Sequence, residues 1–304
     1  MAADGMSRDW RLQWAFPALG RIPSTLPWHI APRLGRDSAE VRRATERFLQ
    51  DRFRKAFPEA SDVERQQWAR AHMDMLAQEQ LDATALHRMG TRGGPHIDVV
   101  GWEYALELQR QGKGFILVLN HYDRLLTAPI ALARKGVVLH TMTMPIADNL
   151  ELGAVQRDFL MRKIGSYTQI VGGQWRTSDQ GLRPVHDGLR SGQAWVILAD
   201  AWRPEFGRLR SHEFLGGQLS LPTGIERLAK STGASLLHGI TRTVAPDRLE
   251  VSIEVLPEEP EQAINQAIQR LAEDVRERPW AWWHWGLLDQ MWQSSSRGEN
   301  RVQY

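Results

Sequence analysis

A histidine that directly follows an apolar run is the feature of this sequence best suited to chemistry. Residues 115–119 read Phe-Ile-Leu-Val-Leu, and Asn120, His121 and Asp123 come immediately after them. Imidazole titrates near neutral pH, so a histidine in a loop at the end of a strand can accept a proton from a substrate. The residues alone leave two interpretations open: His121 acts as a general base, or its ring is bonded to neighbouring backbone.

Two carboxylates are candidates to orient the His121 imidazole. Asp123 is nearest in sequence, and Asp200 follows a second apolar run at residues 194–198. A carboxylate bound to the distal ring nitrogen fixes the tautomer and stabilises the imidazolium. Asp123 could equally be an ordinary turn or cap residue. For its proximity we favour Asp123, which requires a turn straight after Asn120 and a helix that begins after Asp123.

The usual signatures of other enzyme classes are missing from the sequence. It contains no Gly-x-Ser-x-Gly elbow, no phosphate loop, no dinucleotide glycine triplet and no His-Glu-x-x-His. It also contains no cysteine, which excludes disulfides, thiolate metal sites and a cysteine nucleophile. We therefore predict no bound metal and no bound cofactor.

Composition and charge narrow the possible partners and the location. The 38 basic and 36 acidic residues nearly cancel in a chain of 304, so nucleic acid is not expected as a ligand. Residues 1–26 hold no apolar run long enough for a signal peptide or a membrane span, so we predict a cytoplasmic protein. Thirteen tryptophans, several of them near the two ends, fit either a core or a membrane surface. Their clustering favours peripheral association with the inner membrane.

The elements that would position these residues fall into two parts. Helical periodicity predicts helices at residues 38–57 and 62–86, and a glycine-rich turn segment follows at 89–95. We predict a helical extension over residues 1–90, packed on an α/β domain over residues 91–304.

In the second part, short apolar runs alternate with helical stretches, which is typical of a mostly parallel sheet flanked by helices. Strands are predicted at residues 115–119, 137–142, 169–171, 194–198, 235–243 and 249–255, the last two as an antiparallel hairpin, and helices at 125–134, 150–164, 182–189, 223–231 and 262–276. Open sheets bind ligands beyond the carboxyl ends of their strands. His121, Asp200 and Arg203 should therefore meet at one edge.

Several segments resemble one enzyme family in order and spacing. Residues 114–121 look like the strand and catalytic histidine of the lipid A lauroyl and myristoyl transferases, which belong to the lysophospholipid acyltransferase superfamily. The other similar segments are residues 54–65, 196–200, 213–217, 222–229 and the Pro-Trp-Ala-Trp-Trp-His of residues 279–284. The resemblance covers about residues 14 to 292.

The resemblance implies transfer of a fatty acyl group from acyl carrier protein or acyl-CoA to a hydroxyl or amine of a lipid or glycolipid, with His121 as the general base. A direct transfer is expected, because no Ser or Cys nucleophile motif is available to hold the acyl group. We assign Asn120 and His284 to substrate binding. Arg157, Arg162 and Arg203 could grip phosphate or stabilise the oxyanion, although each could equally be a surface arginine.

The sequence also departs from the family pattern. In the family an acidic partner follows the histidine after four intervening residues, and in this sequence that position is Leu126. The basic run that family members usually carry after the position of His284 is replaced by Trp-Gly-Leu-Leu at residues 285–288. The membrane-spanning helix with which family members tend to begin is not found in the chain. Two alternatives therefore stay open: acylation of a secondary metabolite or amino compound, and a catalytically degenerate homologue that only binds lipid or a partner protein.

Overall fold

The computed structural model describes residues 10–35, 37–145 and 153–295. Its N-terminal region is helical: a π-helical turn at Arg11–Ala15 leads into α1 (Phe16–Leu19), α2 (Leu26–Leu34), α3 (Ala39–Ala56) and α4 (Asp62–Ala85). Both long helices begin at serine caps, since Ser38 accepts a hydrogen bond from the backbone of Val41 and Ser61 forms a capping box with Glu64. The two helices predicted in this region are confirmed.

The rest of the described chain alternates strands and helices. Its elements are β1 (His96–Val100), α5 (Trp102–Arg110), β2 (Phe115–Leu119), α6 (Thr127–Arg134), β3 (Leu139–Thr143), α7 (Ala154–Val171), β4 (Gly172–Thr177), α8 (Arg183–Arg190), β5 (Ala194–Leu198), β6 (Leu209–Phe214), β7 (Gly217–Pro222), α9 (Gly224–Thr232), β8 (Ser235–Ala245), β9 (Arg248–Val255), α10 (Pro260–Glu277), α11 (Leu288–Met291) and β10 (Trp292–Ser294).

Within the described ranges, seven strands form one sheet in the order β1-β9-β8-β2-β5-β3-β4. Every neighbouring pair is parallel except β8 and β9, which form the expected antiparallel hairpin. A small antiparallel sheet, in the order β10-β7-β6, stands beside it. The predicted fold class, a mostly parallel sheet flanked by helices with a helical N-terminal region, is confirmed.

The central strands β2 and β5 are covered on both faces. Alternate side chains of β2 enter two different apolar clusters, one shared with α8, α9 and α10 and the other with α5, α6 and α7. All five residues of β2 are buried, which is why its sequence is a continuous apolar run and not an alternating one. The two strands thus form a close-packed apolar support for the loops that follow their carboxyl ends.

One predicted strand is wrong. Residues 169–171 are the last turn of α7, which continues past the exposed Gly165 and ends at Val171, before the cap residue Gly172 with φ of +72°. A single glycine in a helix costs only about 1 kcal/mol relative to alanine, so the helix that we expected to end at residue 164 runs on. The strand of this region, β4, begins at Gly172. The predicted start of the helix, at residues 150–152, lies outside the described residues.

Other elements were missed. The first strand of the described residues is β1, not β2; it lies at the edge of the sheet with exposed end residues and half-buried residues between them, so it lacks the continuous apolar run of a buried strand. The hairpin of β6 and β7 was also missed. Its two turn residues, Leu215 and Gly216, both have positive φ, at 49° and 71°. Leu-Gly is not one of the pairs that usually signal such a turn.

Candidate active site

The register of the sheet places His121 beside Asp200. Strands β2 and β5 are parallel neighbours with Leu119 opposite Leu198, and the backbone of Ala199 donates a hydrogen bond to the Leu119 carbonyl. His121 and Asp200 each lie two residues beyond a paired leucine. They therefore emerge side by side from the carboxyl edge of the sheet.

The Asp200 carboxylate binds both the ring and the backbone of His121. Its Oδ1 lies 2.9 Å from His121 Nδ1, and the backbone N–H of His121 donates to both carboxylate oxygens at 2.9 Å. The indole N–H of Trp282 donates to Oδ2 at 3.1 Å. Asp200 is fully buried, whereas the His121 side chain is 24% exposed. The ring is thus held from one side only.

Electrostatics fix the proton on this ring. Burial by itself would raise the pKa of Asp200, but the His121 and His284 rings and the hydrogen bonds from His121 outweigh burial and lower it to about 2. The carboxylate is therefore ionised at neutral pH and has no proton to donate, so the proton of the 2.9 Å bond is on His121 Nδ1. In the neutral form of this tautomer the ring carries a lone pair on Nε2. Among the described residues, no hydrogen bond uses this nitrogen, which can serve as a base.

His284 lies directly against the same ring. Its Nε2 is 2.9 Å from His121 Nδ1 and 3.8 Å from Asp200 Oδ2, and the two ring centroids are 4.2 Å apart. Burial, more than any other cause, lowers the pKa of His284 to about 4, so this ring is neutral at neutral pH. We expected His284 to bind substrate; in the structure it contacts the histidine that would do the chemistry.

The same three side chains are of the types that bind divalent metals. The donor atoms of His121, Asp200 and His284 lie within 4.8 Å of one another. Two histidines and one carboxylate suit zinc or iron. A single proton on His121 Nδ1, shared between Asp200 Oδ1 and His284 Nε2, also explains why the three side chains lie so close together without an ion.

The Pro-Trp-Ala-Trp-Trp-His segment of residues 279–284, the tryptophan motif, binds the loop that carries His121. Tyr122 pairs with Trp282 in an antiparallel bridge, and the Trp283 backbone donates to the His121 carbonyl at 2.9 Å. The Asp123 backbone donates to Ala281 at 2.7 Å, and the Trp283 indole donates to the Asp123 carbonyl at 2.9 Å. Sequence reasoning missed this positioning role, although the Trp-x-Trp-x-His spacing was its visible signal.

Most tryptophans of the C-terminal cluster belong to the core and not to a membrane surface. Trp282 and Trp285 are fully buried and pack edge to face, and Trp292 is 7% exposed. Near the other end, Trp28 is also buried, whereas Trp14 is 72% exposed. Clustering in the sequence was therefore a misleading sign of membrane contact at the C-terminal end.

Asp123 does not orient the His121 ring. It has a left-handed backbone, with φ of 50°, and its fully buried carboxylate accepts hydrogen bonds from the backbone and hydroxyl of Thr243 at 2.8 and 2.5 Å. Arg278 adds an ion pair at 3.1 Å. Among the described residues no hydrogen bond joins this carboxylate to the ring, and the next helix begins only at Thr127. The preference for Asp123 over Asp200 is therefore wrong.

The departure at position 126 has a structural counterpart. Leu126 is 7% exposed and packs in the apolar cluster shared by β2 and α6. It cannot replace an acid chemically, but Asp200 already occupies the ring nitrogen that an acid would bind. The missing acid at this position therefore does not leave His121 without a carboxylate.

Asn120 faces the core. Its amide Nδ2 donates to Nε2 of the buried His238 at 3.0 Å. Burial lowers the pKa of His238 to about 4, so that ring is neutral and can accept this bond. The expected role of Asn120 in substrate binding stays a prediction. In the structure its side chain links the end of β2 to His238 on the neighbouring strand β8.

The three candidate arginines lie on two different elements. Arg203 is half-buried in the loop that carries Asp200, and among the described residues no carboxylate lies within ion-pairing distance of it. Arg157 is half-buried in the first turn of α7, and Arg162 is exposed further along that helix. Arg203 thus shares the loop of Asp200, whereas Arg157 and Arg162 lie on α7, and all three roles stay predictions.

Comparison with known proteins agrees with the fold and with the segments that carry the resemblance. The family model of bacterial lipid A biosynthesis acyltransferases matches residues 6–293. No curated protein sequence matches the chain. The match spans the helical N-terminal region, the His121 loop and the tryptophan motif. The chain therefore belongs to the bacterial lipid A biosynthesis acyltransferase family and is an acyltransferase.

Proposed function

We propose that this enzyme moves a fatty acyl group from an acyl thioester, carried by acyl carrier protein or CoA, to a hydroxyl or amine of a lipid or glycolipid acceptor. His121 is the general base. The single observation that supports this role best is the 2.9 Å bond from His121 Nδ1 to the ionised, fully buried Asp200. That bond leaves Nε2 as the basic nitrogen of a partly exposed ring.

The chemistry follows from that tautomer. His121 Nε2 takes the proton of the acceptor hydroxyl or amine while the acceptor oxygen or nitrogen attacks the thioester carbonyl carbon. The tetrahedral intermediate collapses with cleavage of the carbon–sulfur bond, and the thiolate leaves and takes the proton from the imidazolium. Asp200 stabilises the imidazolium between these two proton transfers.

Arg203 is our candidate for the charge that stabilises the oxyanion or grips a phosphate of either substrate. It belongs to the loop that follows β5, as Asp200 does, and has no carboxylate partner among the described residues. An oxyanion donor is typically worth about 3 kcal/mol of transition-state stabilisation. Arg157 and Arg162 remain candidates for phosphate binding at the outer helix α7.

The acceptor is proposed at the level of its class. Family membership supports a lipid A precursor. The segment at residues 285–288 supports a second candidate, a smaller hydroxyl or amino compound, because Trp285 and Leu288 are fully buried and provide no basic surface there. Trp285 packs against Phe53 of α3, with ring centroids 4.8 Å apart. A bisphosphorylated sugar would find no cation in those four residues.

We further propose that the protein works at the surface of the inner membrane. No helix of the described residues is long and apolar enough to cross a membrane. Support for surface binding comes from the N-terminal region, where Trp10, Trp14, Ile22 and Leu26 are 48%, 72%, 40% and 56% exposed. Aromatic and aliphatic side chains exposed together are typical of interfacial membrane binding.

The test is a turnover assay with purified enzyme. Acyl carrier protein and CoA thioesters would each be offered with a lipid A precursor or a panel of small alcohols and amines, and products detected by mass spectrometry. His121→Ala should lower turnover by a factor of about 10² to 10⁴ with its fold unchanged by circular dichroism. The control is His96→Ala on the edge strand β1, where that side chain is 70% exposed.

Two results would count against the proposal. Wild-type turnover in the His121→Ala variant would remove the general base. A folded wild-type enzyme that acylates none of these acceptors with either donor, yet binds lipid, would favour the degenerate homologue.

A further inference from the structure

Two different acceptors face one nitrogen of the His121 ring. Nδ1 lies 2.9 Å from Asp200 Oδ1 and also 2.9 Å from His284 Nε2. The Asp200 contact explains how the ring is oriented. The approach of a second, mostly buried imidazole, with a side chain 12% exposed, is not needed for that purpose.

The positions of the protons follow from Asp200. A proton on His284 Nε2, donated to His121 Nδ1, would leave the Nδ1 lone pair facing an ionised carboxylate oxygen at 2.9 Å with no hydrogen between them. That arrangement is repulsive. The alternative donation from His284 to Asp200 Oδ2 spans 3.8 Å, which is too long for a hydrogen bond. The proton therefore lies on His121 Nδ1, and His284 presents a lone pair.

We propose that His284 is a positioning residue of the acyl transfer, a neutral second acceptor for the Nδ1–H of His121. The inference rests on the proposed function of His121. When His121 takes the substrate proton and becomes an imidazolium, its Nδ1–H becomes a stronger donor, and the His284 lone pair then stabilises it together with Asp200. Because His284 is neutral, it stabilises the cation without adding a charge to the site.

The geometry favours a shared proton over a metal ion. Asp200 already accepts hydrogen bonds from the His121 backbone at both oxygens and from the Trp282 indole. Ligands on zinc, at about 2.0 to 2.1 Å from the ion, are separated by roughly 3.3 Å in a tetrahedral site. The two separations of 2.9 Å are shorter and match hydrogen bonds.

The experiment compares His284→Leu with His284→Gln. Leu fills the space without an acceptor, whereas the Gln amide oxygen can reach the position of Nε2. We expect His284→Leu to lower kcat by about tenfold to a hundredfold, which is the effect of one hydrogen bond to a charged group. The KM for the acyl thioester and the KM for the acceptor should each stay within about twofold of the wild-type value. The low-pH limb of its rate profile should move to lower pH, because the protonated ring forms less readily. His284→Gln should keep kcat within about fivefold of wild type.

The matched control is His212→Leu, at a buried histidine whose ring contacts Asn265 at 2.7 Å and, among the described residues, makes no hydrogen bond to His121, Asp200 or His284; its kcat should stay near wild type. Unchanged kcat in His284→Leu would overturn the inference. So would a raised KM with unchanged kcat, which would make His284 a substrate ligand. If EDTA abolishes the activity of the wild-type enzyme and added Zn²⁺ restores it, a bound metal ion, and not a shared proton, joins these side chains.

The results also separate this inference from the proposed function. If His121→Ala is fully active, the proposed function itself fails. If His121→Ala is inactive while His284→Leu has normal activity, only this inference fails.

Discussion

Removing the Asp82 carboxylate, which links the N-terminal helices to the residues just after His121, should lower the free energy of unfolding. Arg124, three residues after His121, is fully buried and makes a two-pronged ion pair with Asp82 of α4, with both N–O distances at 2.5 Å. Asp82 also accepts the indole N–H of Trp28 at 2.7 Å. Burial alone would lower the pKa of Arg124, but the Asp82 carboxylate outweighs burial and raises it, so the guanidinium stays charged.

Asp82→Ala leaves that charge buried with the Pro246 carbonyl, at 2.8 Å, as its remaining hydrogen-bond acceptor among the described residues. Breaking a buried ion pair in this way costs about 3 to 5 kcal/mol. The lost indole bond adds roughly 1 kcal/mol. We therefore expect the free energy of unfolding to fall by about 4 kcal/mol or more. Urea denaturation at neutral pH, followed by circular dichroism, measures the change.

Two further variants complete the test. Asp51→Ala removes an exposed pair with Arg54, whose side chains are 66% and 53% exposed, and should change stability by less than about 0.5 kcal/mol. The double variant Asp82→Leu, Arg124→Met replaces the buried pair by apolar groups and should recover most of the loss. A cost below about 1 kcal/mol for Asp82→Ala, or a double variant less stable than the single one, would refute the reasoning.

Two other predictions concern pH and membrane binding. Burial lowers the pKa of His72, His238 and His284, the last two from 6.5 to about 4. Between pH 6.5 and pH 4 the unfolded chain therefore binds more protons than the folded chain, so the free energy of unfolding should fall as the pH drops through this range. His238 alone should contribute up to about 3 kcal/mol of this loss. Urea titrations at several pH values measure the change, and a free energy of unfolding that does not vary with pH would contradict the prediction. Replacing both Trp10 and Trp14 by Ala should weaken binding to anionic vesicles about tenfold or more in a sedimentation assay, whereas Tyr104→Ala, 53% exposed on α5, should not. Equal binding by all three proteins would remove the N-terminal membrane surface.

The sequence predicted the parts of this fold that local patterns determine. Strands β2 and β5 have the predicted bounds because fully buried parallel strands are short, uninterrupted apolar runs. The edge strand β1 and the hairpin of β6 and β7 escaped prediction. The strand is short and only half-buried, so it has no continuous apolar run, and the hairpin turns at a leucine whose positive φ of 49° no sequence rule anticipates.

The carboxylate partner could not be predicted because it depends on topology. Asp123 is two residues from His121 in sequence, but its left-handed backbone turns the carboxylate towards Thr243 and Arg278. Asp200 is 79 residues away in the chain and becomes adjacent only because β5 pairs with β2. Sequence patterns identify strands, but the order of strands in a sheet comes from long-range packing.

The central claim is that His121 is the base and that Asp200 holds it, so the decisive measurement is the turnover of Asp200→Asn beside that of Asp123→Asn at matched folded fraction. Asp200→Asn keeps the size of the side chain but removes the charge that fixes the proton on Nδ1, and should lower kcat by about a hundredfold or more. Asp123→Asn weakens its bonds to Thr243 and Arg278 and should lower the unfolding temperature, with kcat within about fivefold of wild type. A larger loss of kcat in Asp123→Asn, or a loss of no more than a few-fold in both variants, would contradict the account.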